Sequence, residues 1–233
     1  MNNWIVFLAA LLLFSCKNDN TDDDILNRSD EYEICNQLMD ACVAGDGEYC
    51  LFGYKWGSVN TFSNTGYDAT GPREPGGTVT FSFQENNGFV NTHAQANLPS
   101  RSFDNLISCA KLEIRKALNE WSAVANIEFQ EQPENSNTDI QFFVADIKQS
   151  GVGFPNFTEE PCSIIGGDVI LQSDLNVDEC NTFYLFVLHE IGHTLGLGHV
   201  STQNIMNPDY HLYDLNGLQT GDIEGIIQIY GEK

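Results

Sequence analysis

The sequence predicts an α+β domain with five strands and three helices. Three observations carry this. Short runs of alternating apolar and polar residues recur along the middle of the chain. Two stretches repeat apolar residues at intervals of three and four, as one face of a helix does. Between them lies a helix-compatible run dense in histidine, His189 to His199. With 233 residues, 42% of them hydrophobic, the chain can bury one core of its own. That suits a domain of roughly 150–200 residues plus extensions.

Thr78 to Phe83 places Val79, Phe81 and Phe83 on one face of a half-buried strand. Ser102 to Ala125 is the first helix. Ile107, Ala110, Ile114, Leu118 and Trp121 share its apolar face, while Lys111, Glu113, Arg115 and Glu120 fall elsewhere. Strands follow near Ile127 to Gln130 and Asp139 to Ala145, the latter alternating Ile140, Phe142 and Val144. Gly151 to Phe157 reads as a short irregular edge strand, because Pro155 has no amide hydrogen for a ladder. Ile164 to Leu171 is the fifth strand and Thr182 to Leu195 the second helix. In the last helix Thr220 stands as the cap, with Asp222 in the first turn. Its buried stripe is Ile223, Ile226, Ile227 and Tyr230. Residues 57–77, rich in Gly, Ser, Thr, Asn and Pro, form a surface loop.

The chemistry lies in His189-Glu190-Ile191-Gly192-His193-Thr194-Leu195-Gly196-Leu197-Gly198-His199. Helix positions four apart share a face, so His189 and His193 aim both imidazoles at one point. Glu190, beside the first of them, can hold a water there. Gly196 stops the helix, because glycine enters the left-handed region without steric cost, and the reversed chain returns His199 to the same point. Three imidazoles with one open position are the donor set of a catalytic zinc ion. The bland alternative is a buried helix with incidental polar residues. Three histidines, a glutamate and a glycine at fixed spacings argue against it. His93 and His211 stand apart and are expected to be plain surface residues.

This H-E-x-x-H-x-x-G-x-x-H stretch, with Met206 following, resembles the metzincin metalloproteases, which carry a methionine turn after the third histidine. Pro208, two residues after Met206, is similar to the matrixins, the family of the matrix metalloproteinases. So are Gln219 to Ile226 and Tyr230-Gly231, whereas Val200 departs from the serine usual there. Tyr49, Leu51, Gly53 and Trp56 resemble the opening segment of matrixin catalytic domains. The resemblance therefore covers about residues 49–233 and is strongest from 164 onward.

The resemblance implies a metzincin/matrixin-like fold: a twisted, mostly parallel five-stranded sheet, three helices, and an active-site helix followed by the methionine turn. It implies that His189, His193 and His199 hold zinc, and that Glu190 is general base to a zinc-bound water. Met206 would form a hydrophobic floor under the histidines, and the edge strand would pair with extended substrate. Matrix metalloproteinases also carry a structural zinc. Here Ile170, within Gly166-Gly167-Asp168-Val169-Ile170-Leu171-Gln172, stands where a ligand histidine is expected. No histidine occurs between His93 and His189, so one zinc is expected and not two. Gln172 and Leu175 replace acidic residues expected around a neighbouring calcium, although Asp168 and Asp174 keep Ca2+ possible. The matrixin latency string needs a cysteine. Pro72-Arg73-Glu74-Pro75 has glutamate in that place and reads as a loop.

Trp4 to Phe14 is apolar but too short to span a bilayer, and fits the core of a secretory signal although Lys and Arg are missing before it. Leu13-Phe14-Ser15-Cys16 resembles a bacterial lipobox, in which cleavage leaves the cysteine to be lipidated. A buried or disulfide-bonded Cys16 is the alternative. The polar, acidic Lys17 to Asp24 reads as a flexible tether and resembles those of surface-exported lipoproteins of Gram-negative bacteria. The organisation expected is a lipoprotein-type signal peptide at 1–15, a tether and short cysteine-bearing segment at 16–48, and the catalytic domain at 49–233. Six further cysteines, Cys35, Cys42, Cys50, Cys109, Cys162 and Cys180, favour disulfides, with fifteen pairings open. Cys162 and Cys180 flank the strand before the active-site helix, and their pairing is expected to close that loop.

These readings predict a zinc-dependent endopeptidase hydrolysing peptide bonds of extracellular proteins. It would be a monomer at the cell surface, touching the outer membrane through its lipid anchor only. A net charge of −23 argues against nucleic acid, whose phosphates it would repel. A zinc hydrolase of a non-protein substrate and a non-catalytic surface adhesin retaining the fold are the alternatives. Intact Glu190 argues against the adhesin, since binding needs no general base. Cys16→Ser is expected to move the protein from membranes to the soluble fraction. An unmodified Cys16 in the wild-type mass spectrum would contradict lipidation.

Overall fold

The computed structural model describes residues 47–51, 55–56, 77–86, 89–90, 98–158 and 163–233. The signal and tether readings (including Cys16), most of the 57–77 loop, His93 and Cys162 lie outside the described residues.

Five strands form one sheet: β1 (Gly77–Gln84), β2 (Ile127–Glu131), β3 (Ile140–Ala145), β4 (Gly151–Thr158) and β5 (Ser163–Gln172). Their order is β2-β1-β3-β5-β4. All neighbours run parallel except β4, which is antiparallel to β5 and forms one edge. The sheet is therefore mostly parallel, as the resemblance implies. In β3, Ile140, Phe142, Phe143, Val144 and Ala145 are all buried, the pattern of a central strand covered on both faces. β4 is longer than expected and reaches Thr158, with a register shift between Asn156 and Phe157.

The helices are α1 (Ala110–Val124), α2 (Cys180–Thr194) and α3 (Thr220–Tyr230). α1 starts later than its apolar repeat suggests. Ser102 instead caps a separate 3-10 turn at Phe103–Asn105, accepting from the Asp104 amide, and Leu106 is extended. α1 lies along α2, where buried Trp121 donates its indole N–H to the Leu188 carbonyl at 3.1 Å. The bidentate Arg115–Glu131 pair, 2.7 Å at both contacts, ties α1 to β2. At the start of α3 the cap is Gln219, not Thr220, and the Asp222 carboxylate reaches back to the Gln219 amide at 2.9 Å. Ile226, Ile229 and Tyr230 are buried there, while Ile223 and Ile227 are half-buried.

The expected Cys162–Cys180 link is overturned: Cys180 is bonded to Cys109, with Cα atoms 6.1 Å apart. Cys109 precedes α1 and Cys180 opens α2, so packing the two helices side by side brings their N-terminal ends together. Chain proximity favoured a short loop, but helix packing supplied a partner 71 residues away. Cys50 is disulfide-bonded as well. The turn after β3 is held by an amide: Gln172 Oε1 accepts the Ile147 and Lys148 N–H groups at 2.8 and 2.9 Å. Gln172 Nε2 donates to Asp174 at 2.6 Å.

Peptide mapping without reduction is expected to join the Cys109 and Cys180 peptides. Removing that link should cost on the order of 4 kcal/mol in the chain-entropy account of a loop this long. A Cys162–Cys180 peptide in the map would restore the overturned pairing.

Candidate active site

α2 is a buried helix from Phe183 to its end apart from half-buried Leu185, which places His189, Glu190 and His193 inside the protein. Its last turn is shaped by glycine. Gly196 has φ 102°, its amide bonds to the His193 carbonyl at 3.2 Å, and the Leu197 amide bonds to the Gly192 carbonyl at 3.1 Å. These two bonds make a Schellman ending, which turns the chain back on itself. The remaining carbonyls find side chains: Trp56 Nε1–H donates to Thr194 at 2.8 Å and the Tyr230 hydroxyl to Leu195 at 2.9 Å. The reversed chain is pinned by the Gly198 amide on the Cys50 carbonyl at 2.8 Å.

The three Nε2 atoms converge. His193 lies 3.1 Å from His189 and 3.1 Å from His199, and His199 lies 3.2 Å from His189. The other ring nitrogens set the tautomers. His189 Nδ1–H donates to the Ile205 carbonyl at 2.7 Å, and His193 Nδ1–H donates to the Leu197 carbonyl at 2.9 Å. A carbonyl only accepts, so both Nε2 atoms carry a lone pair. Burial pushes His189 down to about 4, and it also lowers His193 and His199. Charge on the neighbouring histidines lowers His189 and His193 further.

Neutral nitrogens facing one another at this separation repel unless a cation lies between them. Their spacing is close to the ligand–ligand edge of about 3.4 Å around a tetrahedral ion with Zn–N near 2.0–2.1 Å. The donor set therefore fits zinc. Among the described residues, the other metal-capable group is Cys109, Glu113 and Cys180, whose cysteines are joined in the disulfide.

Met206 is buried against the active-site helix, its sulfur 2.4 Å from where a Cβ on Gly192 would stand. Glu190 is buried, and burial pushes its carboxyl up to about 7 against the opposing bond from Gly153. That bond, from the Gly153 amide of β4 to Glu190 Oε2, is 2.6 Å long. The structure thus gathers His189, His193, His199, Glu190 and Met206, while Cys180 sits at the far end of α2 and His211 is exposed.

Sequence reasoning missed three contributors. Asp222 was read as a helix-start acid, yet it also accepts the Ile205 and Met206 amides at 2.8 and 3.0 Å and so braces the turn that orients His189. Tyr210 lies with its ring 5.4 Å from that of His189, and burial, then the charge of Glu190, raises its hydroxyl. Gly153 carried no signal beyond its place in a glycine-rich strand.

Three converging imidazoles from this motif, followed by the Met206 turn, on a mostly parallel sheet with three helices, are the arrangement of the metzincin fold, with a donor set that fits zinc. The Matrixin family profile (Peptidase_M10) matches residues 93–231. The chain belongs to the matrixin family. It is 32% identical over 143 residues to matrix metalloproteinase-16 of Rattus norvegicus, covering 51% of this chain and 23% of that protein. It is 33% identical over 143 residues to matrix metalloproteinase-26 of Homo sapiens, covering 54% and 53%. To the hatching enzyme of Paracentrotus lividus it is 29% identical over 142 residues, covering 53% and 23%. The chain thus spans about a quarter to a half of the length of these relatives.

Extensively dialysed protein is expected to retain close to one zinc per chain, and His193→Ala close to none. A reproducible value near two, also in a variant lacking His93 and His211, would show a second site.

Proposed function

We propose that this chain is a zinc-dependent endopeptidase acting on peptide bonds of extracellular proteins. The observation that carries the reading is the convergence of three Nε2 atoms within 3.2 Å, with a buried carboxylate on the neighbouring helix position. His189, His193 and His199 would hold the metal. Bound there, zinc supplies Lewis acidity toward water and the scissile carbonyl. Glu190 takes the proton of the attacking water and returns it to the leaving nitrogen, so one water is consumed and an acid and an amine are released. A carboxyl raised toward neutrality by burial suits both halves of that transfer.

β4 supports a peptide substrate. It is an edge strand, and a peptide can add to such an edge through main-chain bonds. Pro155 has no N–H to offer that ladder, which confines pairing to its neighbours. A lipoprotein-type leader, the anchor at Cys16 and a cell-surface location belong to this reading as proposals, as do a domain beginning near residue 49 and a monomeric state. A calcium near Asp168 and Asp174 is a further proposal.

Wild-type protein should digest casein or gelatin, and a chelator should stop it. Glu190→Ala should keep zinc and lose proteolysis by about 100-fold or more, the scale of general-base catalysis. Substantial proteolysis by that variant would remove Glu190 from the mechanism. A zinc-loaded wild type that cleaves no protein would favour the adhesin or a non-protein substrate.

A further inference from the structure

The edge strand touches the active-site helix through two glycines. Gly151 and Gly153, two apart on β4, face the same side of the strand. Phe186 and Glu190, four apart on α2, face the same side of the helix. A Cβ at Gly151 would stand 2.4 Å from Phe186 Cζ. A Cβ at Gly153 would stand 1.9 Å from the Glu190 carbonyl oxygen and 2.7 Å from its carbon. The two collisions differ in kind. The end of a ring can swing aside, whereas a carbonyl inside a helix is fixed by its ladder. Neither glycine is among the described residues with positive φ, so each is needed for closeness and not for an unusual backbone.

That closeness brings the Gly153 amide to the Glu190 carboxylate, 2.6 Å from Oε2 in a buried setting. The terminal torsion of a glutamate is broad and exchanges its two oxygens freely. A short charge-assisted bond to one oxygen ends that freedom. We propose that Gly153 is a positioning residue for the general base: its amide fixes Oε2, leaving Oε1 to take and return the proton, and only glycine lets β4 approach closely enough. The proposal rests on the metalloprotease reading above. It also couples the strand that would carry substrate to the group that moves the proton.

The test has two arms. In the zinc-loaded enzyme, Gly153→Ala should lower kcat by on the order of tenfold or more, since small misplacements of a catalytic group are costly. KM should stay within about twofold, and zinc content should be unchanged. Gly151→Ala, on the same strand and meeting the end of the Phe186 ring and the Ile170 carbonyl, reports the cost of disturbing β4 alone, and a kcat loss as large as that of Gly153→Ala would overturn the proposal. A Gly153→Ala variant with raised KM and unchanged kcat would make β4 a substrate ledge only and overturn the proposal.

The second arm needs no catalysis. The Gly153 amide proton should resonate far downfield in wild type and move upfield in Glu190→Ala, with other β4 amides little changed. This arm also serves if Gly153→Ala fails to fold. An amide unmoved by Glu190→Ala overturns the positioning role, whereas a wild type that cleaves no peptide overturns the reading it rests on.

Discussion

Everything near the site depends on ending α2 at one place. The helix carries two imidazoles, and the third arrives only if the chain reverses directly after Thr194. Gly196 permits the reversal, and the same turn sets the Leu197 carbonyl against His193. The end of the helix, the orientation of one ligand and the return of another are thus one local event. Trp56 and Tyr230 then satisfy the carbonyls that the helix end leaves open, which ties that end to the segment around Trp56 and to α3.

A second layer holds the turn beneath. Asp222 grips the Ile205 and Met206 amides, the Ile205 carbonyl orients His189, and the Met206 sulfur rests against Gly192. A buried carboxylate with three backbone donors satisfies groups that a tight turn would otherwise leave unpaired. On the other flank β4 presses its glycines onto α2, so the proposed substrate edge and the proposed general base share one contact. The Cys109–Cys180 link secures the opposite end of the same helix to α1.

Much of this was legible in the residues. Alternation located β1 and β3, helical spacing located α1 and α3, and the spacing of His189, His193, His199 and Gly196 foretold the convergence. What failed was tertiary. Whether Cys180 pairs with Cys162 or Cys109 depends on how α1 lies along α2, which no local pattern states. The start of α1 was misread because Ile107 fits the apolar repeat although Ser102 caps a different turn. Asp222 and Gly153 act through backbone amides of remote segments, and a backbone amide has no letter of its own in the sequence.

The central claim is that three imidazole nitrogens of this chain hold one zinc ion. X-ray absorption at the zinc edge of dialysed protein tests it most directly. The account predicts a first shell of light atoms near 2.0–2.1 Å with the multiple scattering of imidazole, one nitrogen fewer in His199→Ala. A shell containing sulfur near 2.3 Å, or one unchanged in His199→Ala, would contradict it.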